Sequence, residues 1–234
     1  MSERFVLGAY WGARRESVEQ CADRLQTFFE ALVSGDDLLS QWYPKTSSPK
    51  KSLEHPLDKV NRQMLVEILM KGQNRENARG AVSEDLGFQL GFWNGQKADD
   101  QASFSLRCGL YWKSSNASVS VGNCVVFDLP KNLGILAEAQ RMVQLLAATA
   151  RAWNPDWAGV MSESSMLTRD FGAEKPFVDW MIYVPRRIGK APEPAVLLEI
   201  QEGSIIVLPP DSPSINLPQK KSLIERVERA IEMR

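Results

Sequence analysis

The feature that most limits how this chain can fold is a series of alternating apolar residues across its middle. Phe88, Leu90 and Phe92 alternate; Ala102, Phe104, Leu106, Cys108, Leu110 and Trp112 follow; Ala117, Val119 and Val121 make a third run. A period of two places the apolar side chains of each segment on one face of a strand, and intervening polar turns join such strands antiparallel. The three runs therefore predict an antiparallel meander with one face on a core. After Val121 the apolar parity slips across Gly122-Asn123 to Cys124 and Val126, which predicts a bulge or bend.

Other segments fit around that meander. Phe5, Leu7, Ala9 and Trp11 alternate as a first strand, and Val178, Trp180, Ile182 and Val184 as a late one. Val196–Ile200 and Ile205–Leu208 read as a hairpin across Gln201–Ser204, and Leu38–Tyr43 as a short strand. Helical spacing appears in Val18, Cys21, Ala22, Leu25 and Leu32, closed by Gly35. It returns over Leu57–Met70 and Leu133–Ala152, and in a terminal helix at 219–233. The Lys/Ser/Pro-rich stretch 45–56 and residues 71–84 read as loops. The expected class is α+β, an antiparallel β-sheet meander with helices packed on one face, in a single domain over residues 1–234.

The charge balance excludes a strongly basic nucleic-acid binder, since the formal net charge is -1. Residues 45–80 do hold eight Lys/Arg against four Asp/Glu, but without the interleaved aromatics that grip single strands. Three cysteines, Cys21, Cys108 and Cys124, do not make a disulfide framework and suit a reducing compartment. No stretch approaches the roughly 18 apolar residues of a membrane span. The opening Met-Ser-Glu-Arg lacks the regions of a secretory signal, so the expected location is the cytoplasm.

No catalytic constellation emerges. His55, the one histidine, lies in the polar loop before Leu57 and is expected to face solvent. There is no Cys-x-x-Cys pair or His-Glu-x-x-His, so neither a metal nor a cofactor is expected. Glu84, Asp99, Asp100 and Asp128 would converge at one end of the meander in a competing reading, a carboxylate-based, metal-dependent hydrolase. A non-immunity adaptor is the other competing reading. The seven tryptophans are more distinctive. Trp112 and Trp180 share the apolar parity of their strands, whereas Trp93 stands on the opposite parity beside Asn94-Gly95. Trp153 and Trp157 bracket the turn-like Asn154-Pro155-Asp156. Such rings either complete a core edge or anchor a protein interface.

Gly8-Ala9-Tyr10-Trp11-Gly12-x-Arg14, the helix that begins at Glu16-Ser17 with Cys21-Ala22, the central glycine/tryptophan strands, and Trp153-Asn154-Pro155-Asp156-Trp157-Ala158-Gly159 together resemble the immunity protein 52 family, over about residues 5–210. The resemblance implies an antitoxin-like role in bacterial competition. Its members stand beside polymorphic toxins, often with a restriction-endonuclease-like DNase domain, delivered by contact-dependent machinery including type VI secretion. It implies a cognate nuclease toxin as partner, stoichiometric inhibition, no direct contact with nucleic acid or membrane, and no catalytic residue. A DNA-binding nuclease surface calls for acidic groups around a hydrophobic anchor. The expected contact set is therefore Trp157 as anchor with Trp153, a rim of Asp156, Glu163 and Asp170, and Trp93 as a further aromatic.

Overall fold

The period-two segments pair into one sheet. The structure is a computed structural model that describes residues 3–35, 37–57, 61–75, 83, 85–111, 122–209 and 217–232. Its strands are β1 (Phe5–Trp11), β2 (Tyr43–Pro44), β3 (Leu86–Trp93), β4 (Ser103–Leu110), β5 (Asn123–Asp128), β6 (Trp157–Ser162), β7 (Met181–Val184), β8 (Val196–Ile200) and β9 (Gly203–Val207). They lie in the order β2-β3-β4-β5-β1-β6-β7-β9-β8, antiparallel at every pairing. The alternating runs at 88–92 and 102–110 are β3 and β4; the run at 117–121 and Trp112 lie outside the described residues. The slip after Val121 leads to Asn123, where β5 starts. The Asn123 amide donates to the Gly12 and Leu110 carbonyls at 2.7 and 3.1 Å and accepts from Leu110 N at 2.8 Å, tying β1, β4 and β5 together at that end.

Helices α1 (Val18–Gly35), α3 (Arg62–Lys71) and α4 (Ala139–Trp153) cover one face, and the short α2 (Pro49–Leu53) lies between α1 and α3 in the chain. The spacing read in the sequence for α1 buries Cys21, Ala22, Leu25, Phe28, Phe29 and Leu32 against Leu7, Phe92, Phe104 and Phe127. Ser17 and Gln20 start that helix reciprocally: Ser17 Oγ accepts from Gln20 N at 3.3 Å while Gln20 Oε1 accepts from Ser17 N at 2.8 Å. In α4, Met142, Leu145, Leu146, Ala150 and Trp153 face the same core, each large apolar side chain contributing roughly 1.5–3 kcal/mol by leaving water.

The sheet's second face carries another core over β1, β6, β7 and β9, where Tyr10, Trp157, Met161, Ile182 and Ile206 meet Phe177, Val178 and Ile188. The terminal helix α6 (Leu217–Glu232) closes it with Leu223, Ile224, Val227 and Ile231, so helices stand against both faces. Strand β6 was not anticipated from the sequence. All six of its residues are buried, because both of its faces are covered, and a strand covered on both sides has no alternation to read. The late strand begins at Met181, not Val178, and Trp180 turns to the first core while Val178 and Ile182 join the second. Around β2, residues 37–39 form a 3-10 turn where a strand was expected, and α2 interrupts the loop expected at 45–56. No helix among the described residues is long and apolar enough to cross a membrane.

Candidate partner-binding site

The motifs at 8–16 and 153–159 meet in one place. α4 ends at Trp153, and Asn154 adopts the left-handed conformation there with φ 46° while donating to Ala150 O at 2.8 Å. The last carbonyls of a helix lack partners and carry partial negative charge. Two arginines supply the missing donors: Arg14 reaches Trp153 O at 2.7 Å and Asn154 O at 3.1 Å, and Arg24 reaches Ala152 O at 3.0 Å. Glu16 lies between both guanidiniums, 3.2 Å from Arg14 Nε and hydrogen-bonded to Arg24 Nε, with its side chain only 5% exposed. Above them Trp11 stacks on Trp153 with centroids 5.6 Å apart, and the Arg14 guanidinium sits 5.1 Å over Trp11. Gly8 serves the opposite face of the sheet, because a Cβ there would lie 2.5 Å from the ring of Tyr10, which stacks on Trp157 in the second core. The motif residues thus clasp the end of α4 to the ends of β1 and β6.

That clasp decides where the expected contact residues sit. Trp153 is fully buried and Trp157 is 2% exposed, the latter stacked on Tyr10 at 4.5 Å and donating from Nε1 to Ala173 O. Neither indole is at the surface, so the anchoring role expected of them is replaced by a place in the two cores. Asp156 is exposed and accepts from Gly12 N at 2.8 Å. Glu163 is exposed beyond the other end of β6, its N–H on Arg4 O, so seven residues of extended chain put Asp156 and Glu163 about 20 Å apart. Asp170 is exposed near Lys175, and Trp93 is half-buried at the end of β3 beside Tyr43. The six residues do not form one patch, because the unforeseen strand β6 separates neighbours in sequence.

A cavity of about 350 Å³ opens near Glu163, lined by Glu3, Phe5, Leu133, Ala137, Asp179, Trp180, Pro209 and Lys220. Asp179 is 1% exposed; its Oδ2 accepts from Ser162 N at 2.7 Å and Ser162 Oγ at 2.8 Å. Its Oδ1 lies 3.1 Å from Lys220 Nζ yet receives no hydrogen bond of good geometry. Phe5 and Trp180 stand with ring centroids 5.1 Å apart, and the Trp180 indole N–H has no partner among the described residues. Glu3 is held by Ser164 N and Oγ at the start of α5 (Glu163–Thr168). On α5, Leu167 is 81% exposed, and Ile135, two residues from both Leu133 and Ala137, is also exposed. Sequence reasoning missed Asp179 and Glu3; the available signal was an acidic residue set within the apolar run Phe177–Val184.

The carboxylates of the competing hydrolase reading are engaged separately: Asp99 pairs with Lys131 at 3.3 Å, Asp100 accepts from Asn132, and Asp128 accepts from Ser103. Glu84 lies outside the described residues. Among the described residues no group of three or more His, Cys, Asp or Glu could hold a metal ion.

The sequence model of Immunity protein 52 matches residues 3–233. This chain belongs to the immunity protein 52 family. As an immunity protein it is a binding protein and not an enzyme. Among solved structures it is similar to "Pseudomonas aeruginosa T6SS protein PA0821", at 12% identity and a TM-score of 0.53, over 96% of this chain and 76% of that one. At that identity the likeness establishes the fold. Comparison with curated proteins gives no match. Two of the segments that carry the family resemblance, 8–16 and 153–159, are brought together by the clasp, so in this member they serve the architecture first.

Proposed function

We propose that this immunity protein neutralises a cognate toxin by forming a stoichiometric complex with it in the cytoplasm. The observation that carries the reading is the family match across residues 3–233. The toxin is a DNase effector with a restriction-endonuclease-like domain, and type VI secretion is its route of delivery; the T6SS protein that shares this fold supports that setting. One continuous sheet shared by both cores supports residues 1–234 acting as a single binding domain.

Inhibition follows from surface chemistry and not from a reaction. A nuclease that binds DNA presents cationic groups, and an inhibitor that offers carboxylates around apolar side chains covers them. The surface around Glu163 has that character, with Glu3, Glu138 and Glu163 exposed beside Leu167 and Ile135. Asp156, Asp170 and Trp93 remain accessible to a partner that extends over neighbouring surfaces.

The test is a titration of the purified chain against the nuclease encoded by the neighbouring gene, following DNA cleavage and complex formation together. Inhibition should saturate near one equivalent, and Leu167→Asp should weaken it without changing the chain's own unfolding. Two folded proteins that neither associate nor alter cleavage would remove this pairing.

A further inference from the structure

We infer that β8, at one end of the sheet, is where two copies of this chain join, each pairing its β8 antiparallel with the other's about a twofold axis at Leu198. The two edges of the sheet are built differently. At the far end β2 is two residues long and ends in Pro44, which has no N–H to offer. Neighbouring segments take up the outward groups of β3: Lys45 N donates to Gly91 O at 2.7 Å, Gln89 N to Gly72 O at 2.8 Å and Asn74 N to Gly87 O at 3.0 Å. β8 has no such cover among the described residues. Its sequence, Val-Leu-Leu-Glu-Ile, contains no proline, lysine or glycine to deter a further strand.

The hairpin sets the direction of the β8 backbone. Ile200 and Gly203 flank the two-residue turn and pair, so Leu198 with Ile205 and Val196 with Val207 also exchange hydrogen bonds. On the other side of β9, Leu208 N donates to Trp180 O at 2.8 Å, as that alternation requires. Leu197 and Glu199 therefore turn their N–H and C=O groups outward, and none of these takes a backbone partner among the described residues. Side chains add an apolar strip: Val196 is 55% exposed and Leu198 37%, on the face where Ile205 and Val207 join the first core.

A second β8 fits that edge in one register. With Leu198 opposite its own copy, Val196 meets the other copy's Ile200, and Leu197 exchanges both hydrogen bonds with the other copy's Glu199, so the whole strand pairs. Registers centred on Leu197 or Glu199 pair only the central part of the strand, and the latter sets two carboxylates directly opposite. Within its own copy Glu199 is held by Arg187 Nη1 at 2.6 Å and Ser204 Oγ at 2.9 Å, so the join brings no bare charge together. Because the far edge is covered, the pairing closes at two chains and does not run on into a filament. So short a contact is well below the roughly 20–30 residues a side of a standard interface, and a dissociation constant of about 10–100 µM is expected.

The experiment is sedimentation velocity of the full chain from about 1 to 500 µM under reducing conditions, where the mean mass should climb from one chain to two and no further. Leu198→Lys, at an exposed position, opposes two ammonium groups on the axis; it should hold the chain monomeric over that range and leave the unfolding midpoint at low concentration unchanged. Mild oxidation of Leu198→Cys should link two chains, because Cα atoms opposed in a non-hydrogen-bonded pair are about 4.5 Å apart. Glu199→Cys should not link, since the same register offsets its two copies to about 8 Å. Wild type, with Cys21 and Cys108 buried, is the control. A monomer at every concentration, association that survives Leu198→Lys, or linking of Glu199→Cys as readily as Leu198→Cys overturns the assignment. No toxin is present, so the neutralisation reading stands or falls separately.

Discussion

Replacing Glu16 by glutamine tests whether the clasp at the end of α4 is held by its central charge. The carboxylate serves Arg14 at 3.2 Å and Arg24 through a hydrogen bond, and both arginines bind carbonyls of residues 152–154. A carboxamide retains one acceptor but no charge, leaving two guanidiniums side by side. A hydrogen bond to a charged group contributes about 1.5–3 kcal/mol. The arginine side chains are 26% and 28% exposed, which screens part of this, so the expected loss is about 2–3 kcal/mol. For a chain of this length that lowers the melting temperature by about 5–10 °C. The assay is urea unfolding followed by tryptophan fluorescence and far-ultraviolet dichroism, with Asp23→Asn as control. Asp23 pairs with Arg62 on the open surface, both side chains more than half exposed, and its loss should leave the midpoint unchanged. If Glu16→Gln moves the midpoint no more than Asp23→Asn does, the clasp is not held by the charge of Glu16.

Other substitutions and conditions separate core from surface. Trp153→Ala should cost about 3–5 kcal/mol in the same unfolding assay, because the ring is fully buried between Trp11 and Phe28, while Asp156→Ala should cost about 1 kcal/mol for one lost hydrogen bond. In toxin binding, Asp156→Ala should change affinity by less than about 1 kcal/mol if the aspartate is a solvated rim contact, as isothermal titration would show. Burial, with a smaller contribution from Glu202, pushes the Tyr183 phenol up to about 12 from an ordinary 10, and burial raises Tyr10 as well. The folded state therefore keeps protons that the unfolded chain releases. Stability should be complete below pH 10 and decline as pH rises toward 12, visible as a falling urea midpoint in that window. Burial likewise raises the Cys108 and Cys124 thiols, and Cys21 is buried, so a disulfide-exchange reagent should find little reactive thiol at neutral pH until denaturant is added.

Much of this architecture is written locally in the chain. The alternation of Phe88, Leu90 and Phe92 and of Phe104, Leu106 and Cys108 determines two strands and the face they bury, because one face of each meets water. The spacing of Cys21, Leu25, Phe28 and Leu32 likewise determines a helix and its buried stripe. Trp157–Ser162 is different: six residues buried on both sides show no period, so only the pairing of β6 with β1 and β7 reveals a strand there. That strand sends Asp156 and Glu163 to opposite ends of the sheet and moves Trp153 and Trp157 inside, although in sequence all four look like one surface segment. The cavity is the converse case. Glu3, Asp179 and Lys220 are remote in the chain and join only when β1, β7 and α6 pack together. Sequence carries the periodicities that local sterics and one-sided burial impose, and the clasp and the cavity depend on contacts between distant segments that no local period encodes.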